Sequence, residues 1–383
     1  MENFLYEKEL ETIKKSHRFR NRVIYDKNLL DLASNDYLGL AQNRKLFEKA
    51  YKRVLKNHYF SPKASMLVNG YSKIHQKFEN LLCKTNGFEK GVIVGSGFLA
   101  NISMIEALVR KGDTLFIDED YHASGILASK LLDPKQVINF LHNDEKDLQE
   151  KLSNCLSKGR KIIAIEGVYS MSGNLAKKEI FEIAKKNNAL LIVDEAHSSG
   201  VIGPNLLGIF DYYNIKIEKN HIKMGTLGKA YGSYGAYILA SKDIIEFLQN
   251  RAKPIIYSTA PSLFDTAFGY ESLKYLMNNK KLLRQKIKQN LSIIQSYLGI
   301  NSNSLIIPIL VDDNKKVLKI QDVLKHNGFL VGAIRQPTVK KAIIRLIAKI
   351  DIKDDKLKEA CNLIKDIGCG LRRGRAGQPL TQR

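Results

Sequence analysis

Lys229 lies among glycines in the stretch "KMGTLGKAYGSYGAYI", Lys223–Ile238. A lysine in such company either grips a phosphate or is itself the reactive group. A phosphate-gripping loop needs a glycine five positions before its Gly-Lys pair and a Ser or Thr after the lysine to ligate magnesium. Lys223 and Ala230 occupy those two positions, so the pattern fails twice and covalent chemistry at the amine is left. The run "LLIVDEAHSSG" delivers Asp194 at its end, with His197 three residues on. One reading makes this a DEAH-type ATPase acid, but that demands a phosphate loop upstream and the sequence has none. The other pairs Asp194 with a pyridinium nitrogen, which a neighbouring carboxylate keeps protonated. A protonated pyridine ring bonded to a lysine is an electron sink for carbanions. "GSGFLANISMIEAL", Gly95–Leu108, follows an apolar run and is expected to open an amphipathic helix whose free amides could hold a phosphate.

These residues need a frame. Between about residues 85 and 240 the runs "GVIVG", "DTLFID", "KIIAIEG" and "LLIVDEA" alternate with helical stretches such as "KKEIFEIAKKNN". Such alternation predicts an α/β fold with a mostly parallel central sheet flanked by helices. Ligands in such folds sit where loops leave the carboxyl ends of the strands. The polar positions there are Gly97, His122, Ser170, Asp194, His197 and Lys229. Beyond about residue 280, "KKLLRQKIKQNLSIIQSYLG" leads into "SLIIPILV" and "KAIIRLIAKI", which predicts a smaller α+β C-terminal domain.

The chain has 383 residues, 44% of them hydrophobic, enough for about two domains. No apolar run approaches the 18 or so residues that cross a bilayer, and the start lacks an apolar signal core, so no membrane role and a cytoplasmic location are expected. Cys83, Cys155, Cys361 and Cys369 show no metal-ligand or disulfide spacing, and no metal is expected. The net charge of +22 is spread over helical surfaces, which favours a compositional bias over nucleic-acid binding. A milder role for it is to attract an acidic acyl carrier protein or the phosphates of coenzyme A. Residues 368–383 carry four arginines and no acid and are set apart as a disordered or non-native tail.

Motifs in order along most of the chain carry a resemblance. They are "LDLASNDYLGL", "VNGYSKIHQKFE", "GSGFLANISMI", "DEDYHASG", "EGVYSMSGNLA", "VDEAHSSGVIG", "GTLGKAYG" and "AIRQPTV". The chain resembles the α-oxoamine synthases, fold-type-I transferases that use pyridoxal 5'-phosphate. The resemblance implies a condensation of an amino acid with an acyl thioester with loss of carbon dioxide. The members it looks most like take L-alanine and a pimeloyl thioester, in biotin biosynthesis. Others take glycine or serine with different acyl groups.

By the same resemblance Lys229 would form the imine with the cofactor, and Gly97, Phe98 and Thr226 would hold its phosphate. Asp194 would pair with the ring nitrogen, His197 and Ser170 would lie by the phenolic oxygen, and His122 would stack on the ring. Asn35 would join the substrate-binding set, Arg345 would hold the alanine carboxylate, and Arg335 the far carboxylate of the pimeloyl chain. Thr259 would reach a partner subunit's phosphate, which implies a homodimer. The expected division is an N-terminal segment at 1–44, a large cofactor domain at 45–280 and a small domain at 281–367. Two stretches depart from the family pattern. "FSPKASML" replaces a glycine-rich loop, and Ile343 stands where an arginine is usual.

Overall fold

The computed structural model describes residues 5–367, so the stretch set apart as a tail, 368–383, lies outside the described residues. Its strands are β1 (Leu30–Leu32), β2 (Lys90–Val94), β3 (Thr114–Asp118), β4 (Val137–Phe140), β5 (Lys161–Glu166) and β6 (Leu190–Asp194). Then come β7 (His221–Thr226), β8 (Ala236–Ala240), β9 (Ile306–Leu310), β10 (Phe329–Ile334) and β11 (Ile343–Ile347). The chain divides into two compact units. The larger holds Asn35–Ser170 and Asn174–Gln285, and the smaller holds, among the described residues, 5–34, Met171–Gly173 and 286–367.

The larger unit is built on a seven-stranded sheet of order β2-β8-β7-β6-β5-β3-β4. Strands β4, β3, β5, β6 and β7 run parallel, and β8 is antiparallel to both its neighbours. This is the mostly parallel α/β sheet expected from the sequence. Strand β3, "TLFID", is buried at every position, and β5 and β6 at every position but the first. Continuous apolar runs of this kind form strands covered on both faces, which is why they read as runs and not as alternations. Because the strands are parallel, their carboxyl ends share one edge, and the register sets Glu166 opposite Asp194 and Asp194 opposite Met224.

The smaller unit has a four-stranded sheet of order β1-β10-β11-β9. Strand β1 lies parallel to β10, so the N-terminal part of the chain belongs to this sheet. Helices Asn314–His326 and Asp354–Asp366 complete an α+β unit. Helix Leu263–Leu298 begins in the larger unit and ends in the smaller.

One expectation needs correcting. Helix Gly97–Leu108 is not amphipathic: Ala100, Asn101, Ser103, Met104, Ile105, Ala107 and Leu108 are all buried. Helix Ala123–Ser129 and helix Lys253–Ile256 pack against it as well as the sheet, so most of its surface is covered and Phe98 is its one exposed residue. Two of its buried residues, Asn101 and Ser103, are polar and must find partners within the protein.

Helix Lys73–Asn86 is pinned to β2 by Glu79, which accepts from Ile93 N at 3.0 Å and from the Tyr71 hydroxyl. Burial raises its pKa from 4.5 to about 7, against the pull of those two hydrogen bonds. A carboxyl whose folded pKa is raised stabilises the fold below its unfolded pKa, and that contribution is lost as pH rises through the folded value. Native stability is therefore expected to fall relative to Glu79→Gln by up to about 3 kcal/mol between pH 4.5 and pH 7. Denaturant unfolding across that range measures it, and parallel profiles for the two proteins would contradict the assignment.

Candidate active site

The strand-end residues of the larger unit converge on Lys229. Its Nζ lies 2.6 Å from Nε2 of His197, whose Nδ1 lies 2.5 Å from the hydroxyl of Tyr37. The tyrosine and imidazole rings meet edge-on with centroids 6.1 Å apart, and Tyr37 is fully buried. Tyr37 was missed in the sequence. It lies 160 residues from His197, and a tyrosine in "NDYLGL" gives no local sign of its partner. Asn35, expected in the substrate-binding set, stands beside this chain of bonds, with Oδ1 3.3 Å from the same hydroxyl.

Lys229 sits in a tight turn between β7 and β8. Gly232 donates its N–H to the Lys229 carbonyl at 2.9 Å, and Leu227 donates to Gly235 at 2.8 Å. The surrounding glycines make room for the protein itself. A β-carbon on Gly225 would lie 2.3 Å from the Tyr237 ring, and one on Gly232, where φ is +61°, would lie 2.4 Å from Ala41 N. Removing those side chains lets the turn close and leaves the lysine beside His197.

Asp194 ends β6 with only 3% of its surface exposed. Its Oδ1 accepts from Ala196 N and its Oδ2 from Asn101 Nδ2, both at 2.9 Å. Such donors favour the ionised carboxylate. Next to it, Glu166 is fully buried, and its Oε2 accepts from Ser170 N at 2.9 Å. Burial, and then the charge of Asp194, push the Glu166 pKa well above the usual range, with Lys229 opposing. Burial beside that carboxylate therefore favours the protonated form of Glu166. Glu166 is the second residue that sequence reasoning missed, and its position opposite Asp194 becomes visible only once the register is known.

His122 caps helix Ala123–Ser129, its Nδ1 accepting from Ser124 N at 3.2 Å. Burial lowers its pKa; Asp194 opposes that shift and Lys229 adds to it, so the imidazole is neutral beside both groups. Ser170 is buried behind Glu166. Ser96 caps helix Gly97–Leu108 by accepting from Leu99 N at 3.2 Å, which leaves the Gly97 and Phe98 amides outside the helix ladder. A β-carbon on Gly97 would lie 4.0 Å from Cβ of Thr226, so this helix start adjoins β7. The Thr226 hydroxyl donates to the Gly235 carbonyl at 3.0 Å. Thr259 is exposed and bridges to Ser65 in the stretch that departs from the family pattern.

The two arginines expected to bind substrate lie in the smaller unit. Arg345 is buried in β11, opposite Gly332 and Pro308. Arg335 donates from Nη1 to the carbonyls of His17 at 2.7 Å and Phe19 at 3.3 Å. Among the described residues no group of His, Cys, Asp and Glu could hold a metal ion.

A neighbouring amine and imidazole, a buried anion, a neutral histidine and a helix start with uncommitted amides suit a phosphorylated pyridine aldehyde. The model of the aminotransferase class I and II family matches residues 27–364. An 8-amino-7-oxononanoate synthase from Helicobacter pylori strain J99 is 44% identical over 94% of this chain and 97% of its own length. The chain belongs to this family. Among solved structures, the 8-amino-7-oxononanoate synthase of Francisella tularensis is 27% identical, with a TM-score of 0.75 over 89% of this chain and 98% of that one. A serine palmitoyltransferase from S. paucimobilis with bound PLP shares the fold at 22% identity, with a TM-score of 0.86 over 95% of this chain and 97% of that one. The family's cofactor is pyridoxal phosphate, and the residues here fit it. Lys229 presents an amine, Asp194 a carboxylate and the start of helix Gly97–Leu108 free amides, the groups that such a cofactor's aldehyde, ring nitrogen and phosphate would need.

Tyr37→Phe deletes the hydroxyl beside His197 Nδ1 and is expected to cost roughly 1 kcal/mol of stability, the size of one buried hydrogen bond. Turnover should fall while borohydride still traps the cofactor on Lys229. Native turnover in this variant would remove Tyr37 from the site.

Proposed function

We propose that the chain joins L-alanine to a pimeloyl thioester with loss of carbon dioxide, yielding 8-amino-7-oxononanoate and the free thiol for biotin biosynthesis. The observation that carries the reading is the Lys229–His197 pair beside the buried Asp194, in a chain 44% identical to a synthase of that name. Bound pyridoxal phosphate supplies an electron sink for the carbanion that forms at the α-carbon of alanine.

The chain's own residues do the rest. Lys229 would hold the cofactor through Nζ, and the same amine, when free, would take the α-proton of alanine. His197 stands 2.6 Å from that nitrogen, within reach to exchange a proton with it. Asp194 holds a proton on the ring nitrogen by charge pairing, and Glu166, kept neutral, does not compete for it. His122 would cover the ring, Ser170 and His197 would hold its phenolic oxygen, and the Gly97 and Phe98 amides with Thr226 would hold the phosphate. Asn35 and Arg345 bind alanine, the arginine through the carboxylate. By keeping the ring nitrogen's proton in place, Asp194 would keep the ring able to take up the electrons left when the α-proton departs, which would accelerate the chemical step.

The active form in this reading is a cytoplasmic homodimer in which Thr259 serves the neighbouring subunit's phosphate. No helix among the described residues is long and apolar enough to cross a membrane. The proposed cofactor domain, 45–280, falls in the larger unit but for residues 171–173, and the proposed small domain, 281–367, falls in the smaller but for residues 281–285. The donor is coenzyme A or an acyl carrier protein, whose acidic surface the +22 charge would attract.

Incubation with alanine and each pimeloyl donor, followed by mass spectrometry of the amino-keto acid, tests the reaction. Lys229→Ala should abolish product and the borohydride-trapped adduct while the fold survives, and product at the native rate would refute the lysine's role. Arg335 is the residue proposed to read the far carboxylate, and its bonds to the His17 and Phe19 carbonyls use only Nη1. An arginine–carboxylate contact is worth roughly ten- to a hundredfold in affinity, so Arg335→Ala should raise KM for the pimeloyl donor by about that factor. A heptanoyl donor should change little, and equal losses for both donors would make Arg335 structural.

A further inference from the structure

Asn101 carries no role in the function proposed above, yet it is a buried polar group bonded directly to Asp194. It lies on the buried helix Gly97–Leu108 with 1% of its surface exposed. Its Nδ2 is 2.9 Å from Oδ2 of Asp194 and 2.9 Å from Oγ of Ser124, and its Oδ1 is 2.7 Å from the hydroxyl of Tyr121. Ser124 Oγ is in turn 2.7 Å from Nδ1 of His122. Every polar atom of the Asn101 amide is therefore engaged, by three partners: Asp194 at the end of β6, and Tyr121 and Ser124 from the stretch that also carries His122.

The direction of each bond follows from one fact. A carboxylate only accepts, so the amide must turn its NH2 to Asp194, and its oxygen is left to take the Tyr121 proton. The second N–H of that NH2 goes to Ser124 Oγ. The Ser124 hydroxyl, its oxygen taken, is free to donate to His122 Nδ1. Ser124 N donates to the same nitrogen at 3.2 Å, so Nδ1 is doubly an acceptor and the imidazole proton sits on Nε2. The charge on Asp194 thus sets, three hydrogen bonds away, which nitrogen of His122 is protonated.

We infer that Asn101 is a positioning residue that ties the Asp194 carboxylate to the His122 imidazole and holds that imidazole as a neutral Nε2–H donor. This rests on the assignment of Asp194 and His122 to the cofactor ring. The ring's proposed anionic partner and the residue proposed for its face are then parts of one hydrogen-bonded body. Tyr121 is the brace that keeps the amide from flipping. Buried networks of this kind are coupled, so that losing one member disturbs all of them.

The test uses holoenzyme labelled with 15N-histidine, the His122 signals being those lost in His122→Asn. The native protein should show a bare Nδ1 and a protonated Nε2. Asn101→Ala should give mixed tautomers at His122 and weaken cofactor binding about tenfold, the size expected when a hydrogen bond to a charged group is removed. Asn101→Asp, nearly the same in volume, faces Asp194 with a second acid and should weaken it further; it also serves if the alanine variant fails to fold. Ser124→Ala should disturb the His122 signals and Ser124→Thr restore them, an effect that general loss of packing would not produce. A native tautomer and native cofactor affinity in Asn101→Ala, or in Asn101→Asp where only that variant folds, would overturn the inference. Asp194→Asn, run alongside, separates the two levels. Weak cofactor binding there with native behaviour in the Asn101 variants defeats only the present inference, whereas native binding in Asp194→Asn defeats the site assignment beneath it.

Discussion

The constraint on which the site turns is the burial of a negative charge at Asp194. An isolated carboxylate moved into a protein interior loses several kcal/mol of hydration, and unless it is compensated it takes up a proton instead. Here the compensation is local and directional. Ala196 N and Asn101 Nδ2 each give it a hydrogen bond of 2.9 Å, and Glu166 accepts the proton that a second buried acid must carry. The parallel sheet makes this possible by ending β5 and β6 side by side, so one acid can stay charged only because its neighbour is neutral. The buried helix Gly97–Leu108 follows from the same need, since it brings an amide into the core where a purely apolar helix would leave Asp194 with one donor fewer.

Much of this was legible in the sequence because chemistry and secondary structure coincide at strand ends. "LLIVDEAH" reads as a buried strand that delivers an acid, and "DTLFID" and "KIIAIEG" read as its neighbours, so the parallel sheet and the positions of Asp194, His197 and His122 follow from runs and spacing. The glycines around Lys229 were legible as unusual but not in their purpose. Gly225 and Gly232 yield to Tyr237 and to the Leu40–Ala41 backbone, contacts that no local pattern encodes.

The residues that escaped reading share a property: each acts through a partner far along the chain. Tyr37 meets His197 across 160 residues, and Asn101 meets Asp194 across 93. Glu166 closes an apolar run in which an acid looks like the end of a strand and nothing more. Asn101 was hidden further by the expectation of an amphipathic helix, which assigns polar residues to water. Burial on all sides reverses that rule, for a polar residue that is buried must be bonded, and its partner then becomes the question. The three-residue strand β1 was unreadable for a different reason, since its pairing with β10 is set by the fold of the smaller unit and not by its own composition.

The chemistry around the ring cannot by itself choose the acyl donor. A serine palmitoyltransferase shares the fold at 22% identity, and removal of an α-proton makes the same demands whatever acid the carbanion then attacks. An anion for the ring nitrogen, an amine and a neutral histidine are requirements of that first step alone. Discrimination has to come from groups that meet the acyl chain, since only contacts that differ between donors change their relative rates. A dicarboxylic chain differs from a monocarboxylic one by a single charge at its far end, so a cation committed elsewhere cannot supply the difference. The stretch "FSPKASML" and Arg335 are where this sequence has freedom to do so, because neither is bound by the network that keeps Asp194 ionised.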